Sequence, residues 1–181
     1  MSRVLVGGVG YRWAGDMSFG LSVSDMMAKQ DWPDHVEVRD LGYGGLYVAL
    51  DLVDWSEPLQ RLILITALAR GRQPGELSCT RYRPVELNPV EVQERVREAG
   101  GGVIDVDHLL AVAQWMGALP SEVFCIELEP VEAGGGESLS ESAAAQLHVA
   151  CHLARTLALG EEESDSMAAM SLYTTMAPVP R

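Results

Sequence analysis

The side chains of this chain that could do chemistry gather in a few places. Asp105, Asp107 and His108 form an acidic-imidazole cluster, a set able to coordinate a divalent metal or to move a proton. The same residues also suit an ordinary helix start, with Asp107 as N-cap of a helix from His108 to Gly117. His148, Cys151 and His152 occupy adjacent turns of one predicted helix, and imidazoles four residues apart can share a zinc ion. They fit equally an amphipathic helix burying Leu147, Cys151 and Ala154, and no fourth ligand is evident. Gly8 and Gly10 open a glycine-rich loop; a dinucleotide fingerprint there would need a third glycine where Trp13 stands, so nucleotide binding is the weakest reading of that loop. Trp13 either fills a cleft or presents a contact surface. Asp16 either meets a metal or basic peptide or caps the helix that follows Ser18. Asp40, at a strand end, would receive a cation or form an Asx turn. Thr66 has no base near it in sequence and suits a satisfied polar group in a strand.

Hydrophobic periodicity supplies the elements that must position these groups. Arg3 to Val9 and Leu59 to Leu68 are continuous apolar, β-rich runs of the kind buried on both faces of a parallel sheet. His35 to Leu41 and Glu122 to Leu128 read as further strands, and Glu76 to Arg83 as a polar-alternating edge strand. Between them lie helical patterns at Ser18 to Gln30, Leu46 to Asp54, Pro89 to Glu98 and His108 to Gly117. A long last helix opens at Ser138 or Ser140 and runs to Leu159. Strands alternating with helices require a mostly parallel sheet. The fold class is therefore α/β, a three-layer sandwich with helices on both faces and one antiparallel edge strand. Ligands of such sheets sit beyond the carboxyl ends of the strands, here the loops after Val9, Arg39 and Ile65 and the Gly100 to Gly102 stretch.

Composition narrows the partners. Thirteen basic against 26 acidic residues leave a net charge of -13 over 181 residues, which repels phosphate backbones and anionic membranes and favours a neutral or basic partner. Neither nucleic acid nor a membrane is expected. Cys79, Cys125 and Cys151 are odd in number and widely spaced, which suits free thiols in a reducing cytoplasm. No stretch reads as a leader or a membrane span. Residues 1–160 read as a single domain and 161–181 as a flexible acidic tail.

The order of motifs resembles that of the endopeptidases that mature the large subunit of nickel-iron hydrogenases. Gly8, Gly10, Asp16 and Gly20 are similar to the family's opening G-x-G-N-x-x-x-x-D-(D/E)-G-x-G segment. Val36 to Asp40 with Gly42 and Gly44 looks like its second strand and glycine turn. Leu62 to Ala69 followed by Pro74 and Gly75, His108 to Gly117 followed by Leu119 and Pro120, and the helix after Leu139 continue the resemblance over residues 3–159. It implies one cut near the C-terminus of the large-subunit precursor, with nickel recognised by a Glu in the first loop, an Asp ending the third strand and a loop His. Those positions fall here on Met17, Thr66 and the neighbourhood of Gly102, with His108 the nearest imidazole. Thioether and hydroxyl groups serve a borderline divalent ion poorly beside carboxylates. The resemblance thus implies a protein of hydrogenase maturation that holds no metal or cofactor and is a non-catalytic relative. Such a protein would bind the large subunit or its C-terminal peptide as an assembly factor. The alternative is an active, divergent nickel-dependent peptidase using Asp16, Asp107 and His108. The cleft candidates are Asp16, Met17, Asp40, Thr66 and His108.

Overall fold

A computed structural model describes residues 3–55, 57–131 and 136–161. The two apolar runs form β1 (Arg3–Gly8) and β3 (Leu59–Ala67), which lie side by side in the middle of a five-stranded sheet. With β2 (Val36–Asp40), β4 (Leu77–Arg81) and β5 (Glu122–Leu128), the strand order is β2-β1-β3-β5-β4. The first four strands in that order run parallel, and β4 closes the edge antiparallel to β5, with Thr80 opposite Cys125. This is the α/β architecture read from the sequence.

Successive strand side chains point to opposite faces, so each strand feeds two cores. Val6, Ile63, Ile65, Phe124 and Ile126 pack under α1 (Phe19–Met27) and α5 (Glu141–Leu159). Leu5, Leu62, Leu64 and Cys125 pack on the other face against α2 (Gly45–Val53) and α4 (Val106–Trp115), and α3 (Pro89–Gly100) adds Val96 at the margin. Among the described residues no helix is long and apolar enough to cross a membrane. Of the expected acidic tail, residues 162–181 lie outside the described residues.

Two helix starts differ from expectation. Asp105, not Asp107, caps α4: its backbone is extended, as an N-cap requires, and its carboxylate accepts from the amides of Asp107 and His108 at 2.7 and 3.3 Å. Asp107 falls inside the first turn, its side chain released for another partner. Asp16 caps nothing in its own segment; it lies in a 3-10 turn, Gly15–Ser18, and Ser18 precedes α1 without a side-chain cap bond. At α5 Ser140 is the N-cap, accepting from the Ala143 amide at 3.2 Å.

The crossing of α1 over β1 and β3 is set by two glycines. A Cβ on Gly20 would stand 2.1 Å from the Ile65 carbonyl oxygen, and one on Gly8 would stand 2.3 Å from that of Gly20. Backbone cannot yield there as a flexible side chain can. Gly20→Ala should therefore lose at least about 2 kcal/mol in urea unfolding, the scale of overpacking. Gly100→Ala, which meets nothing within 4 Å, should be neutral or slightly stabilising at the end of α3.

Candidate functional site

From β1 the chain steps to one side, to β2, and afterwards to the other side, to β3. The connections leaving the carboxyl ends of β1 and β3 therefore diverge, and the crevice between them is the usual ligand position of such sheets. Its first wall is the loop after β1, pinned at three points. The Tyr11 hydroxyl accepts from the Ile104 amide at 2.7 Å. Arg12 donates to Asp25 at 2.9 and 3.1 Å and to Asp40 at 2.6 and 3.2 Å. Asp16, 3% exposed, accepts from the amides of Val131 and Ser140 and from the Ser140 hydroxyl at 2.8–2.9 Å. Both Asp16 oxygens thus tie this loop to the start of α5. Met17 is half-buried and packs against the core under α1 and α5. Trp13 is the one described non-glycine residue with a left-handed backbone, φ +59°, and it is 76% exposed. That conformation costs about 1–2 kcal/mol. The tryptophan presents itself to solvent and fills no cleft.

Asp40 satisfies both halves of its expectation. One oxygen holds Arg12 and the other accepts from the Gly42 amide at 2.8 Å, which shapes the turn into α2. Thr66 is buried, and its hydroxyl donates to the Ala67 carbonyl at 3.3 Å. His148 and His152 are exposed while Cys151 is buried in the core, so that helix presents no shared metal position.

The charged centre of the crevice is a group the sequence reading did not single out. Glu127 is the cross-strand neighbour of Thr66, on the α2 and α4 face of β5, and is 1% exposed. Arg70, just beyond β3, donates to it at 2.8 and 3.2 Å and makes a bidentate pair with Asp107 at 2.7 Å twice. Arg72 adds a third bond to Glu127 at 2.6 Å. Glu129 accepts from the amides of Arg70 and Gly71 at 2.8 and 3.1 Å, which fixes the loop that carries both arginines. Burial alone would raise the Glu127 pKa, but the hydrogen bonds and charges of Arg70 and then Arg72 hold it below the ordinary value. Burial likewise opposes the Arg70 cation, and Asp107 and Glu127 outweigh it and raise its pKa. Glu127 and Asp107 are inside the crevice, neutralised by arginine. A lone charged position in the apolar run Val123 to Leu128, with two arginines after the preceding central strand, is the signal that could have found them.

His108 is buried a turn below. Its Nε2 lies 2.5 Å from Glu98 and its Nδ1 lies 3.3 Å from Asp105. Asp105 first, and Glu98 after burial is set against them, raise its pKa above the ordinary histidine value. Asp105, Asp107 and His108 therefore divide into two separate pairings instead of one cluster.

These side chains do not fit a nickel-recognition site. Met17 packs into the core, Thr66 offers a hydroxyl, Asp16 and Asp107 spend their oxygens on protein donors, and His108 is held between two carboxylates. Among the described residues no three His, Cys, Asp or Glu side chains are arranged to hold a metal ion.

Comparison with known proteins bears on the family. No protein-family model matches the chain. It is similar to the crystal structure of a hydrogenase 2 maturation peptidase from a Thaumarchaeota archaeon, 34% identical, covering 89% of this chain and 100% of that one at a TM-score of 0.61. The chain belongs to the hydrogenase maturation protease family. The hydrogenase maturating endopeptidase HybD from E. coli shares the fold at 20% identity and a TM-score of 0.65, over 88% of this chain and 93% of that one. Among curated relatives, a hydrogenase maturation protease relative of Methanocaldococcus jannaschii is 35% identical over 74 residues, 41% of this chain and 47% of that protein. Hydrogenase expression/formation protein HupD of Bradyrhizobium diazoefficiens is 27% identical over 132 residues, 72% of this chain and 64% of that protein. The matches thus span about half to two-thirds of these two relatives.

Two outcomes test the charge assignments of this family member. Arg70→Met should cost about 3–5 kcal/mol at neutral pH, the loss expected when a buried pair keeps one charge. The deficit should shrink as pH falls and Glu127, left buried without Arg70, takes up a proton; urea midpoints across pH measure it. The raised His108 pKa works in the opposite sense. Its stabilisation is complete below about pH 6.5 and is lost as pH rises through the folded value. The wild type should therefore lose stability on going alkaline, and His108→Gln should lack that loss.

Proposed function

We propose that this protein acts in maturation of the nickel-iron hydrogenase large subunit as a non-catalytic relative of the maturation proteases. It binds the large subunit or its C-terminal peptide without cutting it and without a metal or cofactor of its own. One observation carries the reading: the Arg70 guanidinium stands between Asp107 and Glu127, beside Thr66, in the crevice where the resemblance implies donors to nickel. A cation that is part of the chain cannot report whether nickel has been inserted, and both carboxylates already have their charge met by it. The crevice still suits a peptide. Arg72 Nη1 is buried without an acceptor among the described residues, and a peptide carbonyl or carboxylate would satisfy it. Cys125 and Cys151 are buried free thiols, which supports work in the cytoplasm.

The test is incubation of the purified protein with a nickel-loaded large-subunit precursor, followed by intact mass and size-exclusion chromatography. The expected result is a complex containing precursor of unchanged mass. Loss of the C-terminal extension would restore the divergent peptidase. Titration with nickel or zinc should show no stoichiometric site. Such a site abolished by Asp16→Ala or His108→Ala would overturn the metal-free reading.

A further inference from the structure

The loop after β1 exposes an aromatic ring that neither packing nor the charge network explains. Trp13 is 76% exposed with a left-handed backbone, although Tyr11 and Arg12 before it and Asp16 after it are all bonded to other elements. A segment pinned this firmly does not expose its tryptophan through looseness. Two of the other three tryptophans lie under the chain's own guanidiniums: Arg39 lies 4.4 Å over Trp55 and Arg155 lies 4.7 Å over Trp32. Among the described residues none lies over Trp13. Beside it Asp25 and Asp40 share the single guanidinium of Arg12, and Lys29 also acts on Asp25. Beyond the Asp40 turn, α2 exposes Tyr47, Leu50 and Val53 and carries no basic residue. Tyr43, exposed in the turn, bonds Asp51 at 2.5 Å.

We propose that Trp13 is the docking anchor for a basic segment of the partner, an Arg or Lys side chain stacking on the indole. The ring face attracts a cation, and the net charge of -13 selects for one. This rests on the proposed function, which supplies the partner, and adds to it the surface used and the chemistry recognised. The positive φ is the cost of aiming an anchor residue outward on a rigid loop, as strained residues at ligand contacts do.

Calorimetric titration of purified large-subunit precursor into wild type, Trp13→Gly, Trp13→Phe and Trp115→Ala tests this. Trp13→Gly should weaken binding by about tenfold or more, as loss of a tryptophan anchor does. Glycine relieves the positive φ, so this variant should melt unchanged or about 2–4 °C higher. Trp13→Phe should lose less, and Trp115→Ala, at an exposed tryptophan on α4, should bind as wild type. Raising salt from about 50 to about 300 mM should weaken the wild-type complex. Wild-type affinity in Trp13→Gly overturns the surface and leaves the proposed function standing. A complex indifferent to salt overturns the basic partner, and a wild type that binds no precursor overturns both.

Discussion

Glu127 lies in a central strand with 1% of its surface exposed, and an ionised carboxylate there costs several kcal/mol unless a cation meets it. Much of the crevice follows from that constraint. Two arginines must come from the loop after the neighbouring strand, so that loop turns back over the sheet instead of leaving it. Its course is held by Glu129, which takes two loop amides. Arg70 needs a second acceptor for its remaining donors, and Asp107 in the first turn of α4 supplies it in bidentate form. The end of β5, the loop after β3 and the start of α4 are thereby fixed by one guanidinium.

The opposite wall is fixed by different means. Asp16 crosses 124 residues of sequence to Ser140, joining the first loop to the start of α5. Gly8 and Gly20 let α1 descend directly on the strands. Buried hydrogen bonds to a carboxylate and a contact of bare backbone are both intolerant of substitution, so the loop can carry Trp13 in an unfavourable conformation without collapsing around it.

The elements were legible because local patterning and tertiary context agree in this chain. The apolar runs 3–9 and 59–68 could only be central strands, and Glu122–Leu128 appears with the expected bounds. The site was legible in part. Asp40 at a strand end told of both a turn and a cation, and the structure supplies both. Asp16 and Asp107 misled for one reason: a short acidic side chain near a helix start has a local use, and local uses are all that sequence spacing displays. Their real partners, Ser140 and Arg70, stand 124 and 37 residues away. Glu127 was passed over inside a strand, although a charge in such a run demands a partner.

The substitution of donors changes what the crevice can sense. A divalent ion held by carboxylates and an imidazole is exchangeable, so a protein built around it can distinguish a metal-loaded partner from an empty one. A guanidinium pairs with carboxylates through donors of fixed geometry, never leaves, and stays charged at any working pH. Under the proposed function, replacing the first by the second keeps the electrostatic cross-link between the crevice walls and removes the exchange. The fold's demand for a cation near Glu127 and a reaction's demand for a replaceable one are separate requirements, and in this family member Arg70 meets the first.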